Sequence, residues 1–325
     1  MVPVSDYWQA LKSGKEFLAE ATRRFRILAV PARFGQNHGV RKDEFNDSAL
    51  VLVGHGSTLN AESSLPTYQH GDELRRRKIF AQVVECFWKL EPPICGVMRG
   101  VFATRVFVVP IFISEGYFTE EVIPRELGLR TNDDANFERV QIRGDQIIHY
   151  CGPVGTHASM TNVILARAHD VVERHRFSRS PHPSDTALFI AGHGTGNNEN
   201  SRRVIEQQVE LIRARGIYAE VHGVFMEEDP RISECYQLAS SKNLVVVPFF
   251  ISDGLHSYED IPVMLGESER AVQARLKSGQ ATWRNPTEKK GKLVWYTPSV
   301  GSEAHVADVI LDRVRETSEM PMSGG

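Results

Sequence analysis

Three side chains that could bind a metal ion lie in the second half of this chain. His193, Glu227 and His256 each follow a short apolar run that is typical of a buried strand. Because ligands of parallel α/β sheets bind beyond the carboxyl ends of the strands, we expect the three side chains to meet at one edge of a sheet. Two imidazoles and a carboxylate suit a divalent first-row transition metal, and they leave coordination positions open for exchange. The set therefore predicts a site that handles a metal rather than a closed structural one.

Each of these residues also has an ordinary structural explanation when it is taken alone. A histidine between two glycines, such as His193, often only shapes a turn. Glu227 begins an acidic run that the dipole of a helix N-terminus would favour, and His256 could cap the helix that follows it. The occurrence of all three at successive strand ends is what favours a functional site.

The two halves of the chain repeat each other at a constant offset of 138 positions. Residues 50–57 match 188–195, and residues 108–114 match 246–252. A register held over such distances indicates that one α/β unit was duplicated and fused. The first copy keeps a histidine, His55, but has Lys89 and Phe118 where the second copy has the glutamate and the other histidine. Lysine is cationic at neutral pH and phenylalanine has no donor atom, so the first copy cannot supply the same ligands.

Each copy reads as apolar strands that alternate with helices, a pattern that predicts a parallel sheet buried on both faces. The predicted strands are residues 49–53, 79–87, 105–113 and 146–150 in the first copy, and 187–191, 218–225, 244–251 and 293–296 in the second. The predicted helices are residues 71–77, 93–102, 122–129 and 158–174, and 200–215, 230–240, 262–276 and 303–317. We therefore expect an α/β protein with two similar lobes, each a parallel four-stranded sheet flanked by helices.

The expected domain boundaries follow from the repeat. Residues 1–48 form an N-terminal extension, residues 49–178 the first lobe, and residues 186–318 the second lobe, which carries the metal site. An Arg/His/Pro/Ser-rich run joins the lobes.

Composition narrows the function classes. The chain has 325 residues and a formal net charge of −3, which argues against a generally basic nucleic-acid binder. No apolar run reaches the roughly 20 residues that a membrane span needs. The N-terminus lacks the charged-then-apolar order of a signal peptide, so we expect a cytoplasmic protein. No P-loop motif is present, which disfavours an ATP-driven enzyme.

The motifs around the three candidate residues resemble a known family. GHG(S/T) follows the first strand, F-x-E-x-x-P the second and V-V-P-x-F-I-S-x-G-x-H-x-x-x-D-I-P the third. This combination resembles the class II tetrapyrrole chelatases, in particular the CbiX-type sirohydrochlorin chelatases in their long, duplicated form, over residues 49–317. The resemblance implies two lobes with a cleft between them, and ATP-independent insertion of Co²⁺, or of Fe²⁺ or Ni²⁺, into sirohydrochlorin for cobalamin synthesis. It also implies that a fused chain works as a monomer.

The resemblance assigns roles to residues of the second copy. It implies that His193 is the principal metal ligand and base, that His256 is its partner, and that Glu227 balances charge or relays protons. The residues expected to contact the tetrapyrrole are Gly192, Gly194, Thr195, Gly254, Arg202 and Arg203. The two arginines begin a helix near His193 and could bind carboxylates of the macrocycle, although a basic helix face is often only solvated.

Two further functions stay open. A siroheme-type iron chelatase or a nickel chelatase would use the same ligand types, because selectivity among these ions depends largely on availability. A non-catalytic carrier would bind the metal or the macrocycle without accelerating insertion. A degenerate scaffold is disfavoured because the second copy retains all three candidate ligands.

Overall fold

A computed structural model describes residues 44–58, 60–131, 137–176, 180–194 and 199–321 of the chain. All of these residues belong to one compact unit, Lys42–Gly325. Most of the predicted extension, up to residue 43, lies outside the described residues, and so does Thr195. No helix in the described ranges combines the length and the apolar character that crossing a membrane requires.

The first lobe is a five-stranded sheet in which helices connect successive parallel strands. Its strands are β1 (Ser48–Gly54), β2 (Gln82–Phe87), β3 (Arg105–Pro110), β4 (Val140–Arg143) and β5 (Gln146–Tyr150). Its α-helices are α1 (Leu65–Arg77), α2 (Ile123–Glu126) and α3 (Met160–Arg174), and a π-helix, Phe118–Val122, leads into α2. The strand order is β2-β1-β3-β5-β4, in which β4 runs antiparallel to β5 and the other pairs are parallel.

The second lobe repeats this arrangement with the order β7-β6-β8-β10-β9. Its strands are β6 (Thr186–Gly192), β7 (Glu220–Phe225), β8 (Asn243–Pro248), β9 (Thr287–Lys289) and β10 (Lys292–Tyr296). Its helices are α4 (Glu199–Arg213), α5 (Cys235–Leu238), α6 (Ile261–Met264), α7 (Glu269–Lys277) and α8 (Val306–Ser318), with a π-helix at His256–Asp260. Short 3-10 helices lie at Ala61–Ser64, Val97–Gly100, Val154–Thr156, Pro183–Asp185, Ile232–Glu234 and Val300–Ser302.

The predicted fold class is confirmed, but the predicted count of four strands per sheet is one too low. The missed strands, β4 and β9, have four and three residues and form the antiparallel edge of each sheet. Edge strands are often short and polar, and Thr-Glu-Lys in β9 gives no apolar signal. The central strands are easier to recognise because all seven residues of β1 and of β6 are buried.

Four predicted helices are shorter than the sequence pattern indicates. The one at 122–129 contains only α2, Ile123–Glu126, after the last residue of the π-helix. The predicted helix at 230–240 contains only the 3-10 helix Ile232–Glu234 and α5, and the one at 93–102 contains only a 3-10 turn. The predicted helix at 262–276 divides into α6 and α7 around Gly266, whose φ is +98°. A residue in this left-handed region ends a helix, and glycine adopts it without steric cost.

The last helix of each lobe packs on the sheet of the other lobe. Helix α3 contacts β8 and β10, whereas α8 contacts β3 and β5. Hydrogen bonds accompany both contacts: His149 Nδ1 donates to the Thr317 carbonyl at 3.3 Å, and Trp295 Nε1 donates to the His175 carbonyl at 3.2 Å. The lobes therefore share one helical layer, and the relative position of their two sheets is fixed by it.

Two buried arginines at equivalent positions fasten the lobes to each other. Arg167 Nε donates to the Ser299 carbonyl at 3.1 Å, and its NH1 lies 3.3 Å from Glu303. Arg313 Nε donates to the Pro153 carbonyl, also at 3.1 Å. Both guanidinium groups find acceptors on the opposite lobe, as a buried charge requires. The pairing has the near-twofold symmetry expected of a fused duplication.

Candidate functional site

His193 is held at the carboxyl end of the second sheet by backbone contacts between two loops. It directly follows β6, and its carbonyl accepts hydrogen bonds from the amides of Met226 and Glu227 at 3.0 and 3.1 Å. The neighbouring Gly194 has a φ of +64°, and a Cβ there would lie 2.7 Å from Glu228 Cγ. A glycine is therefore required at this turn. The close approach of the loops places the glutamate that follows β7 beside the imidazole.

The imidazole of His193 presents one free ring nitrogen to this glutamate. Its Nδ1 lies 3.1 Å from the Gly194 carbonyl, which can only accept, so Nδ1 carries the hydrogen. Nε2 is then the ring nitrogen on the side of Glu227, whose Oε1 is 3.7 Å away. Histidines that bind metals commonly donate the other ring N–H to a carbonyl in this way.

His256 lies beside His193 and has a comparable arrangement. The ring centroids of the two histidines are 5.0 Å apart, and the two ring planes are nearly perpendicular. His256 begins the π-helix after β8, and its Nδ1 is 2.7 Å from Asp260 Oδ2. The carboxylate accepts the Nδ1 hydrogen, so Nε2 is the ring nitrogen outside this hydrogen bond. The structure thus brings together the three residues that the sequence singles out.

Asp260 is a residue of this site to which the sequence reasoning assigned no role. The signal was present, because Asp260 follows His256 by four residues, a spacing that places two helical side chains on one face. A carboxylate behind a histidine fixes both the ring orientation and the tautomer.

The three candidate ligands are open to solvent rather than gathered around an ion. The side chains of His193, His256 and Glu227 are 32%, 49% and 58% exposed. Within the described part of the chain, no three His, Cys, Asp or Glu side chains lie close enough together to enclose a metal ion. An arrangement of this kind suits an ion that arrives and leaves, and the assignment of the three residues as metal ligands stays a prediction.

The two arginines predicted to contact the macrocycle differ in how accessible their guanidinium groups are. Arg202 is held by its own lobe, where it bonds to Glu206 at 2.8 Å and lies 3.3 Å from Glu228. It also stacks on Phe225 at 5.0 Å, so its guanidinium is largely engaged. Arg203 is 73% exposed and 3.8 Å from Glu199, which leaves it the more accessible of the two.

The predicted glycines form the turns that carry the histidines. A Cβ on Gly192 would lie 2.1 Å from Ile205 Cδ1, so a larger residue before His193 would force the end of that side chain to move. Gly254 lies two residues before His256, and its amide donates to Ser257 Oγ at 2.9 Å. A Cβ on Gly254 would lie 3.2 Å from Asn60 Nδ2 of the first lobe, so a larger residue there would crowd the contact between the lobes.

The equivalent edge of the first lobe is aromatic. His55 donates from Nδ1 to the Gly56 carbonyl at 2.7 Å, as His193 does in its own turn. Its ring lies 5.0 Å from Phe118 and 5.3 Å from Trp88, and these two rings are 4.8 Å apart. We call His193, Glu227 and His256 the histidine rim. The aromatic rim comprises His55, Trp88, Phe112, Tyr117 and Phe118.

Comparison with known proteins finds one family in both halves of the chain. A model of the CbiX family matches residues 49–171 and again residues 187–317. The two matches follow the two lobes of the structure, one for each sheet.

Relatives with assigned names match either most of the chain or about one lobe. A "probable sirohydrochlorin cobaltochelatase" of Halobacterium salinarum is 42% identical over 278 residues, which are 82% of this chain and 91% of the relative. A "sirohydrochlorin cobaltochelatase" of Methanopyrus kandleri is 28% identical over 138 residues, 40% of this chain but 95% of its own length. The shorter relative therefore corresponds in size to a single lobe.

A solved structure has the same fold. A multi-domain protein of Deinococcus radiodurans, described as similar to chelatases with two additional domains, superposes with a TM-score of 0.67 and 30% identity. The match covers 86% of this chain, which spans 56% of the length of that protein.

Proposed function

This chain belongs to the CbiX family, and from that premise we propose that it inserts Co²⁺ into sirohydrochlorin during cobalamin biosynthesis. The relative that is 42% identical over most of its length carries the corresponding name. The observation on which the proposal rests is the meeting of His193, Glu227 and His256 at one edge of the second sheet.

The chemistry of insertion matches the groups available at the histidine rim. Two pyrrole N–H bonds of the macrocycle are exchanged for bonds to the metal, so two protons must leave. His193 and His256 each have Nδ1 bound to an oxygen and Nε2 free, which suits the second nitrogen either to hold the ion or to accept a proton. Glu227 offers a carboxylate beside His193 that offsets the charge of the ion. The exchange is balanced in charge, because two protons leave as one doubly charged ion enters.

These ligand types indicate a class of metal, the divalent first-row transition ions, and not one particular ion. Imidazole and carboxylate bind Co²⁺, Fe²⁺ and Ni²⁺ with similar preference, so iron or nickel insertion remains the second candidate. A carrier that binds without catalysis would need the same ligands. The discriminating measurement is a rate.

The test is an anaerobic absorbance assay of metal insertion. Purified protein is mixed with sirohydrochlorin and Co²⁺, Fe²⁺ or Ni²⁺, and initial rates are compared with protein-free controls. We expect acceleration, greatest with Co²⁺, and a loss of about 100-fold or more for His193→Ala, the usual size of an acid–base contribution. His55→Ala should cost far less. Spectral changes of binding without any rate gain would identify a carrier, and equal losses at His55 and His193 would mean that both lobes catalyse.

We also propose that the protein acts as a monomer. The lobes already pair within one chain through the exchanged helices α3 and α8 and the two buried arginines. Light scattering after gel filtration should give a mass near 36.5 kDa. A mass of twice that value at micromolar concentration would contradict this expectation.

A further inference from the structure

The aromatic rim is a continuous and partly exposed surface. Trp88 and Tyr117 are 39% and 59% exposed, and both contact Phe118, with centroid distances of 4.8 and 5.8 Å. Phe112 extends the group beneath, 6.2 Å from Phe118. Clusters of large apolar side chains that remain open to solvent mark binding surfaces more often than isolated ones do.

The sister lobe shows that the fold does not require these rings. At the positions equivalent to Trp88, Tyr117 and Phe118, the second lobe has Met226, Leu255 and His256. Both loops keep the same backbone arrangement, with a π-helix of five residues after the third strand. The second lobe also exposes an apolar side chain there, Leu255, at 72%, so the first lobe differs in the aromatic character of its side chains and not in exposed apolar surface as such.

A cation accompanies the rings. Lys89 Nζ lies 4.7 Å from the centroid of Trp88, and the lysine is exposed. It forms no ion pair with any residue in the described ranges. A flat aromatic surface bordered by an unpaired ammonium group is complementary to a planar, conjugated ligand that carries carboxylates.

The two rims are neighbours across the lobe interface. Asn200, which follows the His193 turn, donates from Nδ2 to the Glu115 carbonyl at 3.2 Å, just before the aromatic π-helix. In the equivalent loop of the first lobe, Asn60 approaches the turn before the histidine-bearing π-helix: its Nδ2 lies 3.2 Å from the position that a Cβ on Gly254 would take. Each rim is thus close to a loop of the other lobe, and both border the same junction between the lobes.

We propose that the aromatic rim is the surface on which the tetrapyrrole macrocycle stacks, with Lys89 binding one of its carboxylates. The identity of the occupant rests on the proposed function, since the macrocycle is the substrate of that reaction. The two lobes then have different roles: the second lobe binds the ion, and the first lobe binds the macrocycle.

The test measures binding of metal-free sirohydrochlorin in the absence of any metal, so that insertion cannot contribute. Trp88→Met and Lys89→Glu each import the residue of the second lobe, which the common frame accommodates. We expect Trp88→Met to raise Kd about tenfold, as the loss of one aromatic stacking contact does. Lys89→Glu should raise Kd by a similar factor at low ionic strength, and the difference from the wild type should shrink as salt screens the charge.

Matched controls lie away from the rim. Phe102→Met removes an aromatic ring that is 85% exposed, and Lys277→Glu reverses an exposed charge at the end of α7. Both should bind with the wild-type Kd. His193→Ala should keep the wild-type Kd but lose kcat, whereas Trp88→Met should raise KM and leave kcat nearly unchanged.

The outcomes separate this inference from the proposed function. If the wild type inserts metal but both rim variants bind sirohydrochlorin with the wild-type Kd, the stacking surface is refuted and the reaction stands. If the wild type binds the macrocycle through these residues but accelerates no insertion, the reaction is refuted and the surface stands.

Discussion

The histidine rim and the aromatic rim occupy equivalent edges of two sheets with the same topology, yet they offer opposite chemistry. Each has a histidine after the first strand whose Nδ1 donates to the carbonyl of the glycine that directly follows it, Gly56 or Gly194. The surrounding positions differ as pairs: Glu227 and Lys89, His256 and Phe118, Asp260 and Val122, Met226 and Trp88. The comparison teaches that the backbone frame fixes where a site can lie, while a few side chains decide whether it can handle an ion or a ring.

The largest expected effect on the rate comes from replacing a histidine of the histidine rim by the residue at the equivalent position of the first lobe. His256→Phe removes one imidazole and inserts the side chain that the first lobe carries as Phe118. We expect kcat for Co²⁺ insertion to fall by about 100-fold or more, because a ligand and base is lost. The surface control His169→Phe, on an exposed turn of α3, should leave the rate unchanged. A loss below threefold for His256→Phe would remove His256 from the mechanism.

The lobe interface offers a second comparison, between His70 and Gln208 at equivalent positions. His70 Nε2 donates to the Gly301 carbonyl at 2.7 Å, and Gln208 Nε2 donates to the His157 carbonyl at 3.1 Å. Burial lowers the pKa of His70 from 6.5 to about 4, and the hydrogen bond to Gly301 opposes this only in part. His70 is therefore neutral in the folded protein near pH 7, while Gln208 donates to a carbonyl of the opposite lobe, two positions beyond the equivalent one, without a titratable group.

Replacing His70 by the residue of the sister lobe should change how stability depends on pH. Because the folded pKa lies below the unfolded one, the unfolded chain binds more protons between pH 4 and 6.5. The free energy of unfolding of the wild type falls as the pH drops through this range, by roughly 3 kcal/mol at pH 4 from this group alone. His70→Gln should remove that share of the loss while leaving stability near pH 7 similar.

Denaturant unfolding at several pH values measures this difference. The quantity to compare is the slope of the free energy of unfolding against pH, since His149 and His157 also have pKa values lowered by burial and contribute in both proteins. Parallel curves for the wild type and His70→Gln from pH 4 to 7 would show that His70 is not held neutral by the interface.

A smaller effect is expected where the two π-helices differ at the fifth position. Asp260 accepts the Nδ1 hydrogen of His256, whereas the first lobe has Val122 there. Asp260→Val should weaken Co²⁺ affinity about tenfold, the lower end of what such supporting carboxylates contribute. Isothermal titration with Co²⁺ measures it. Asp260→Asn keeps an acceptor and should lose less, and an equal loss in both would mean that the ion pair rather than the orientation matters.

The fold could be predicted to the level of lobes and central strands, because the apolar runs of β1, β3, β6 and β8 are unambiguous. The edge strands could not, since β9 has three polar residues and is specified only by its pairing with β10. The sequence also could not predict that α3 packs on the second sheet and α8 on the first. An apolar helix face shows that the helix is buried, but either of two similar sheets could cover it.

The candidate site could be predicted in its three main residues because each follows a recognisable strand. Their partners were harder to foresee. The sequence predicts that Arg202 binds a carboxylate of the macrocycle, whereas in the fold Glu206 and Glu228 surround its guanidinium group. The sequence assigns no role to Trp88, because its place in the aromatic rim depends on contact with Phe118, which lies 30 positions further along the chain. Contacts of this kind arise from tertiary packing and leave no local pattern.

Anomalous diffraction at the cobalt absorption edge, from crystals grown with Co²⁺, tests the difference between the rims most directly. The account predicts a single strong peak at the histidine rim, about 2.0–2.3 Å from Nε2 of His193 and His256, as for other metal–imidazole bonds, and no peak at His55. A peak at His55, or a cobalt-loaded and active protein with no peak near His193, would contradict it.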